Sequence, residues 1–142
     1  MKSRLIQNIY NLPLQIQEMT FMEFKRDTKH IDLNGIIELS RGNHQNVLKY
    51  LNQFMLLIPE RTKHLSMHLE SGNRKMIRQT LHQMSPQLQF FGIPGILVPI
   101  RRLELEYQSM PFEELNALVA DILSKLELAL AEVQKVIDSV NE

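Results

Sequence analysis

A chain of 142 residues is long enough for one domain with a real core and too short for two of ordinary size. Sixteen basic and sixteen acidic residues cancel, so no global field argues for nucleic acid or an anionic membrane as partner. The absence of cysteine excludes disulfides, thiolate metal sites and cysteine nucleophiles, and fits a reducing compartment.

No apolar run approaches the ~20 residues that span a bilayer, and the N-terminus has no uninterrupted apolar core of the signal-peptide kind, so a cytoplasmic location is expected. Residues 1–29 read as an N-terminal extension of open structure. Leu5, Ile6, Ile9 and Tyr10 have helical spacing up to Asn11 and Pro13, whereas Leu14 and Ile16 alternate with glutamines as a strand does. Met19, Phe21, Met22 and Phe24 are too apolar for a solvated tail and are expected to pack on the rest of the chain or on a partner. The charged cluster Lys25, Arg26, Asp27 and Lys29 marks the boundary to a second unit, residues 30–142.

Asp32 is placed to cap a short helix over 33–40, whose Ile36, Ile37 and Leu39 would lie across one end of a bundle, and Arg41, Gly42 and Asn43 stop it. From 45 to 70 the apolar residues Val47, Leu51, Phe54, Met55, Ile58, Leu65 and Leu69 keep a three-to-four spacing. That periodicity continues past Pro59 without changing phase, so the long helix is expected to bend rather than break there. Ser71, Gly72 and Asn73 form a tight turn, with Gly72 suited to a left-handed C-cap and Asn73 to the next N-cap. A link this short makes the two helices antiparallel neighbours.

The next helix follows Asn73 and carries Ile77, Leu81, Met84, Leu88 and Phe91 on one stripe at about 100° per residue, with Met76 and Thr80 at its edge. His82 points roughly 150° away from that stripe, in the company of Lys75, Arg78, Pro86 and Gln89. Pro86 has no N–H to give the His82 carbonyl, so the helix either bends at His82 or ends at Pro86. Gly92, Ile93, Pro94 and Gly95 then break the chain. Ile96, Leu97, Ile100, Leu103 and Tyr107 give a further amphipathic helix with Pro99 inside it. Pro111 opens the last helix, Glu113 and Glu114 complement its positive end, and Leu115, Leu118, Val119, Ile122, Leu126, Ala129, Val133, Val136 and Val140 form its stripe. The fold class that follows is all-α: an antiparallel four-helix bundle with a short additional N-terminal helix and no internal repeat.

Other constellations carry less. His64 and His68 have the i, i+4 spacing of metal ligands, but no acidic residue lies between them and no third ligand is evident, so no metal site is expected. Glu104, Glu106, Glu113 and Glu114 cluster near a helix junction with nothing to pair them across a cleft, and read as solvated. The eight methionines are scattered through the apolar stripes as adaptable core filling.

Residues 31–137 resemble the histidine-containing phosphotransfer domain of bacterial two-component phosphorelays. In that family a short helix ending in a Gly turn leads to a long helix, a Gly-Asn or Gly-Asp turn, and a helix with the pattern His-x-Leu-Lys-Gly or His-x-Met-Lys-Pro, with a Gly ten residues after the His. Here His82, Met84, Pro86 and Gly92 occupy those positions, and Ser85 stands where the family has lysine. The order and spacing of the whole set carry the likeness, since a His with an apolar neighbour is common. The resemblance implies that His82 is the phosphoacceptor of a carrier with no independent catalysis and no cofactor of its own. It implies a response-regulator receiver domain and a hybrid histidine kinase as partners, Mg²⁺ on the receiver, and a monomer. Arg78 and Lys75 are candidates to replace the missing lysine, and the Ser85 hydroxyl remains able to donate a hydrogen bond. The alternative is an unphosphorylated adaptor or inhibitor that binds a receiver or kinase, which the serine at position 85 favours.

Overall fold

The computed structural model describes residues 28–141, so the expectations for residues 1–27 lie outside it. The described chain is all-helical and contains five helices: α1 (Asn34–Leu39), α2 (His44–Glu70), α3 (Arg74–Phe90), α4 (Leu97–Glu106) and α5 (Phe112–Asn141). None is long and apolar enough to cross a membrane. Helix α2 packs on α3 and α5, α3 on α4, α4 on α5, and α1 on α2. The four longer helices thus contact one another in a closed cycle around one apolar core.

Several helix boundaries have a local cause. Asp32 Oδ1 accepts from the Asn34 N–H at 2.9 Å and so serves the first turn of α1 from outside it. Arg41 and Gly42, with φ of 51° and 72°, turn the chain after α1, and Asn43 caps α2 by accepting from the Asn46 N–H at 3.2 Å. Gly72, with φ of 67°, follows α2, and Asn73 caps α3 through the Met76 N–H at 3.1 Å. Both Pro59 and Pro86 lie inside continuous helices, so Pro86 does not end α3. Pro99, expected inside a helix, is instead the third residue of α4, where its missing N–H would have had no intrahelical partner.

The core matches the predicted stripes closely. Ile77, Leu81, Met84, Leu88 and Phe91 are buried, with Thr80 beside them, as are Val47, Leu51, Phe54, Ile58 and Leu65 of α2. In α5 every predicted stripe residue is buried apart from Leu118, which packs at the margin. Phe54 of α2 stacks on Phe91 with ring centroids 4.1 Å apart, and Tyr50 meets Phe90 edge-on at 5.5 Å. With Arg61 bonded to Gln83, these pairs run α2 and α3 antiparallel. One expectation fails: Leu39 is 58% exposed rather than laid across the core, because the buried edge of this six-residue helix is centred on Ile36.

The segment before α1 is held at two places. The Lys29, His30 and Ile31 N–H groups all donate to Glu132 Oε1 of α5, at 2.8, 2.9 and 3.1 Å. The Asp32 N–H donates to the Phe91 carbonyl at 2.8 Å. This brings Asp32 against Gly92, whose φ is 58° and where an added Cβ would stand 2.7 Å from the Asp32 Cβ. Gly92→Ala is therefore expected to lower stability by more than about 1 kcal/mol in urea unfolding. Leu81→Ala, on the buried stripe, should cost about 2–5 kcal/mol. His82→Gln, its outward-facing neighbour, should change stability by less than about 0.5 kcal/mol, and comparable melting shifts for the two would refute the helix phase.

Candidate phosphoacceptor site

Burial of Ile77, Leu81, Met84 and Leu88 turns the opposite edge of α3 outward, and the His82 side chain is 68% exposed there. The ring is not isolated. Its Nδ1 lies 3.1 Å from Oε1 of Glu104 on α4, a side chain only 26% exposed. An ionised carboxylate can only accept, so Nδ1 carries the proton and donates it. In the neutral ring Nε2 then keeps its lone pair, and it projects from the side of the ring away from Glu104.

Helix α4 meets α3 in an antiparallel register fixed by further contacts. Arg74, the first residue of α3, donates from Nη1 to the Tyr107 carbonyl at 3.0 Å and to the Met110 carbonyl, and its guanidinium lies 5.9 Å from the centre of the Phe112 ring. A cation is thereby set against the Tyr107 carbonyl, which the end of α4 leaves without a helical partner, and against the Met110 carbonyl in the link to α5. Arg78 lies over the Tyr107 ring at 5.7 Å, an ordinary cation–π distance. Residues 74, 78 and 82 therefore face 107–110, 107 and 104 in turn.

The other residues singled out by sequence occupy the same region in different ways. Ser85 is half-buried, Gln89 and Pro86 are exposed, and Arg78, Ser85 and Gln89 share with His82 the edge that flanks α4. Lys75 is exposed and makes no ion pair or hydrogen bond among the described residues. Arg78 is half-buried, and its guanidinium is directed at Tyr107. His64 is exposed and His68 half-buried on α2, and no group of three or more metal-ligating side chains occurs among the described residues.

The reading of the carboxylates as solvated needs correction. Glu104 holds His82, while Arg102 bonds both Glu106, at 3.0 Å from Nε, and Glu114 across the α4–α5 junction. These bonds, that to Glu114 foremost, hold the Arg102 guanidinium above its ordinary pKa. Glu113 alone of the four is exposed and makes no side-chain bond among the described residues, as expected. A usable signal for Glu104 was present: it follows Ile93 by eleven residues, and His82 precedes Ile93 by eleven, so a helical hairpin folded at that corner juxtaposes them. No family model, curated protein or solved structure matches the chain.

Proposed function

We propose that the chain is a phosphorelay carrier, in which α2 to α5 form the antiparallel four-helix bundle of a histidine phosphotransfer domain. His82 accepts a phosphoryl group from a receiver-domain aspartate and passes it to another receiver. The observation that carries this reading is the His82–Glu104 pair: an exposed imidazole on a packed helix, with one nitrogen held as donor and the other left nucleophilic.

The chemistry follows from that pair. The Nε2 lone pair attacks the phosphorus of the acyl phosphate, the phosphorus–oxygen bond to the aspartate breaks, and its electrons return to the carboxylate. The ring becomes a phosphoimidazolium that keeps its Nδ1 proton, and Glu104 stabilises the positive charge that develops. Return of the group to a second receiver reverses the steps. Mg²⁺ on the receiver would supply neutralisation of the transferring oxygens. Val98 and Leu105, exposed on the outer side of α4, support a partner-contact role for this face. A hybrid histidine kinase, a cytoplasmic setting and a monomeric carrier belong to the same reading.

Incubation with a phosphorylated receiver should place acid-labile, alkali-stable phosphate on the protein. The label should vanish in His82→Gln and persist when His30, His44, His64 or His68 is replaced; label retained in His82→Gln would refute the assignment. Ser85 is the one feature that favours an adaptor instead. For that reading wild type would take no phosphate, yet bind the receiver as tightly as His82→Ala does. The Nδ1–H tautomer should be visible in the ¹⁵N shifts of the His82 ring. Glu104→Ala should lose it and accept phosphate about tenfold more slowly, a barrier change of about 1.4 kcal/mol. Glu104→Gln, which keeps an acceptor for Nδ1, should retain most of the rate.

A further inference from the structure

We propose that Arg101 of α4 is the cation that holds the phosphoryl group on His82, an assignment that rests on the phosphotransfer reading. The need for a cation arises from the pair itself. Glu104 lies 3.1 Å from the ring that is to bear a phosphoryl dianion, so the product places two negative groups on opposite edges of one imidazole. The imidazolium charge between them offsets part of that repulsion, and positive charge on the Nε2 side offsets what the phosphoryl oxygens add.

The cations of this face can be accounted for one by one. Arg74 is committed to the Tyr107 and Met110 carbonyls, Arg102 to Glu106 and Glu114, and Arg78 to the Tyr107 ring. Lys75 precedes His82 by seven residues, about 10 Å along the helix axis. Arg101 is exposed, and its side chain makes no ion pair or hydrogen bond among the described residues. The register places it well. Contacts of 74 with 107 and 110, of 78 with 107 and of 82 with 104 carry on to set residue 101 opposite Ser85, since the two lie eight residues either side of Ile93. Arg101 is one turn from Glu104 on α4, and Ser85 one turn from His82 on α3, so the offset along the axis is about 4.5 Å. A planar guanidinium from that position presents two parallel N–H groups to two phosphoryl oxygens.

Phosphoramidate tests this without a protein partner. His82 Nε2 attacks the phosphorus of the N-protonated phosphoramidate, the phosphorus–nitrogen bond breaks, and the nitrogen leaves with that electron pair as ammonia. Intact mass gives the rate, and ³¹P resonances give the pH midpoint of the bound phosphoryl group, which Glu104 and Arg101 on α4 and Arg78 on α3 influence, with Lys75 on α3 too far off to add much. Arg101→Ala should slow the gain about tenfold and raise the midpoint, since a nearby cation favours the dianion. Arg101→Lys should keep most of both properties, and Ser85→Lys added to Arg101→Ala should restore them. Labelling of His82 in Arg101→Ala at the wild-type rate and midpoint would overturn the role of Arg101 and leave the phosphotransfer reading standing. A slower rate with an unmoved midpoint would also overturn it, because only a charge at the phosphoryl group moves both. Wild type that takes no phosphoryl on His82 would overturn both readings.

Discussion

The register of α3 against α4 is the constraint on which the rest of the site depends. It is set at one end by the corner at 91–95, where Gly92 takes a left-handed conformation under Asp32, and at the other by Arg74 reaching the carbonyls at the end of α4. Between these fixed points His82 meets Glu104, four residues after Arg78 meets Tyr107. A slip of one residue in α4 would rotate Glu104 by about 100° and remove it from the imidazole. The partner of His82 is therefore chosen by Arg74 and by the corner at 91–95, neither of which touches the ring.

What the pair does chemically is to select a tautomer. An exposed imidazole without a partner divides its proton between the two nitrogens, and a fraction of the molecules then offers Nδ1, which lies closer to the backbone, as the nucleophile. A half-buried carboxylate at 3.1 Å removes that ambiguity and lets the backbone of a packed helix define where Nε2 points. Rigidity is the scaffold's contribution. The stripe beneath His82 is fully buried, so the ring is presented with little conformational freedom left to lose on docking.

The stripes, the turns and the outward phase of His82 were legible in the sequence because burial imposes a period, and a period needs no knowledge of the neighbouring helix. Asn43 and Asn73 act as caps for reasons confined to three residues, which is why Asn73 could be assigned to its role before the fold was seen. Glu104 was legible only by folding the chain at the corner around Ile93, not from the period of its own helix. A carboxylate on the flank of a helix looks solvated until the helix it faces is known, and the three successive N–H bonds to Glu132 depend on a separation of about a hundred residues. Leu39 was misplaced because an apolar residue at the end of a very short helix has too few neighbours to reveal its phase. Residues 1–27 gave conflicting periods within a few residues of each other, so no pattern could be extended along them.

A chain with equal numbers of acidic and basic residues cannot attract an anionic partner by its overall field, so on the proposed phosphotransfer reading the charges that matter are those near His82. At physiological ionic strength the screening length is about 8 Å, and exposed charges much beyond it have little effect. Lys75, about 10 Å along the axis from His82, is past that limit, although it shares the outward side of the helix. Within the limit the balance is drawn from two helices: Arg78 on α3, turned to an aromatic ring, and Glu104 on α4, which Arg101 joins on the proposed reading. A helical wheel drawn for α3 alone counts Lys75 and omits both residues of α4. The electrostatics of the site is thus a property of the helix pair, and on the proposed reading a serine at position 85 is compatible with phosphate binding because the facing helix would bring its own cation.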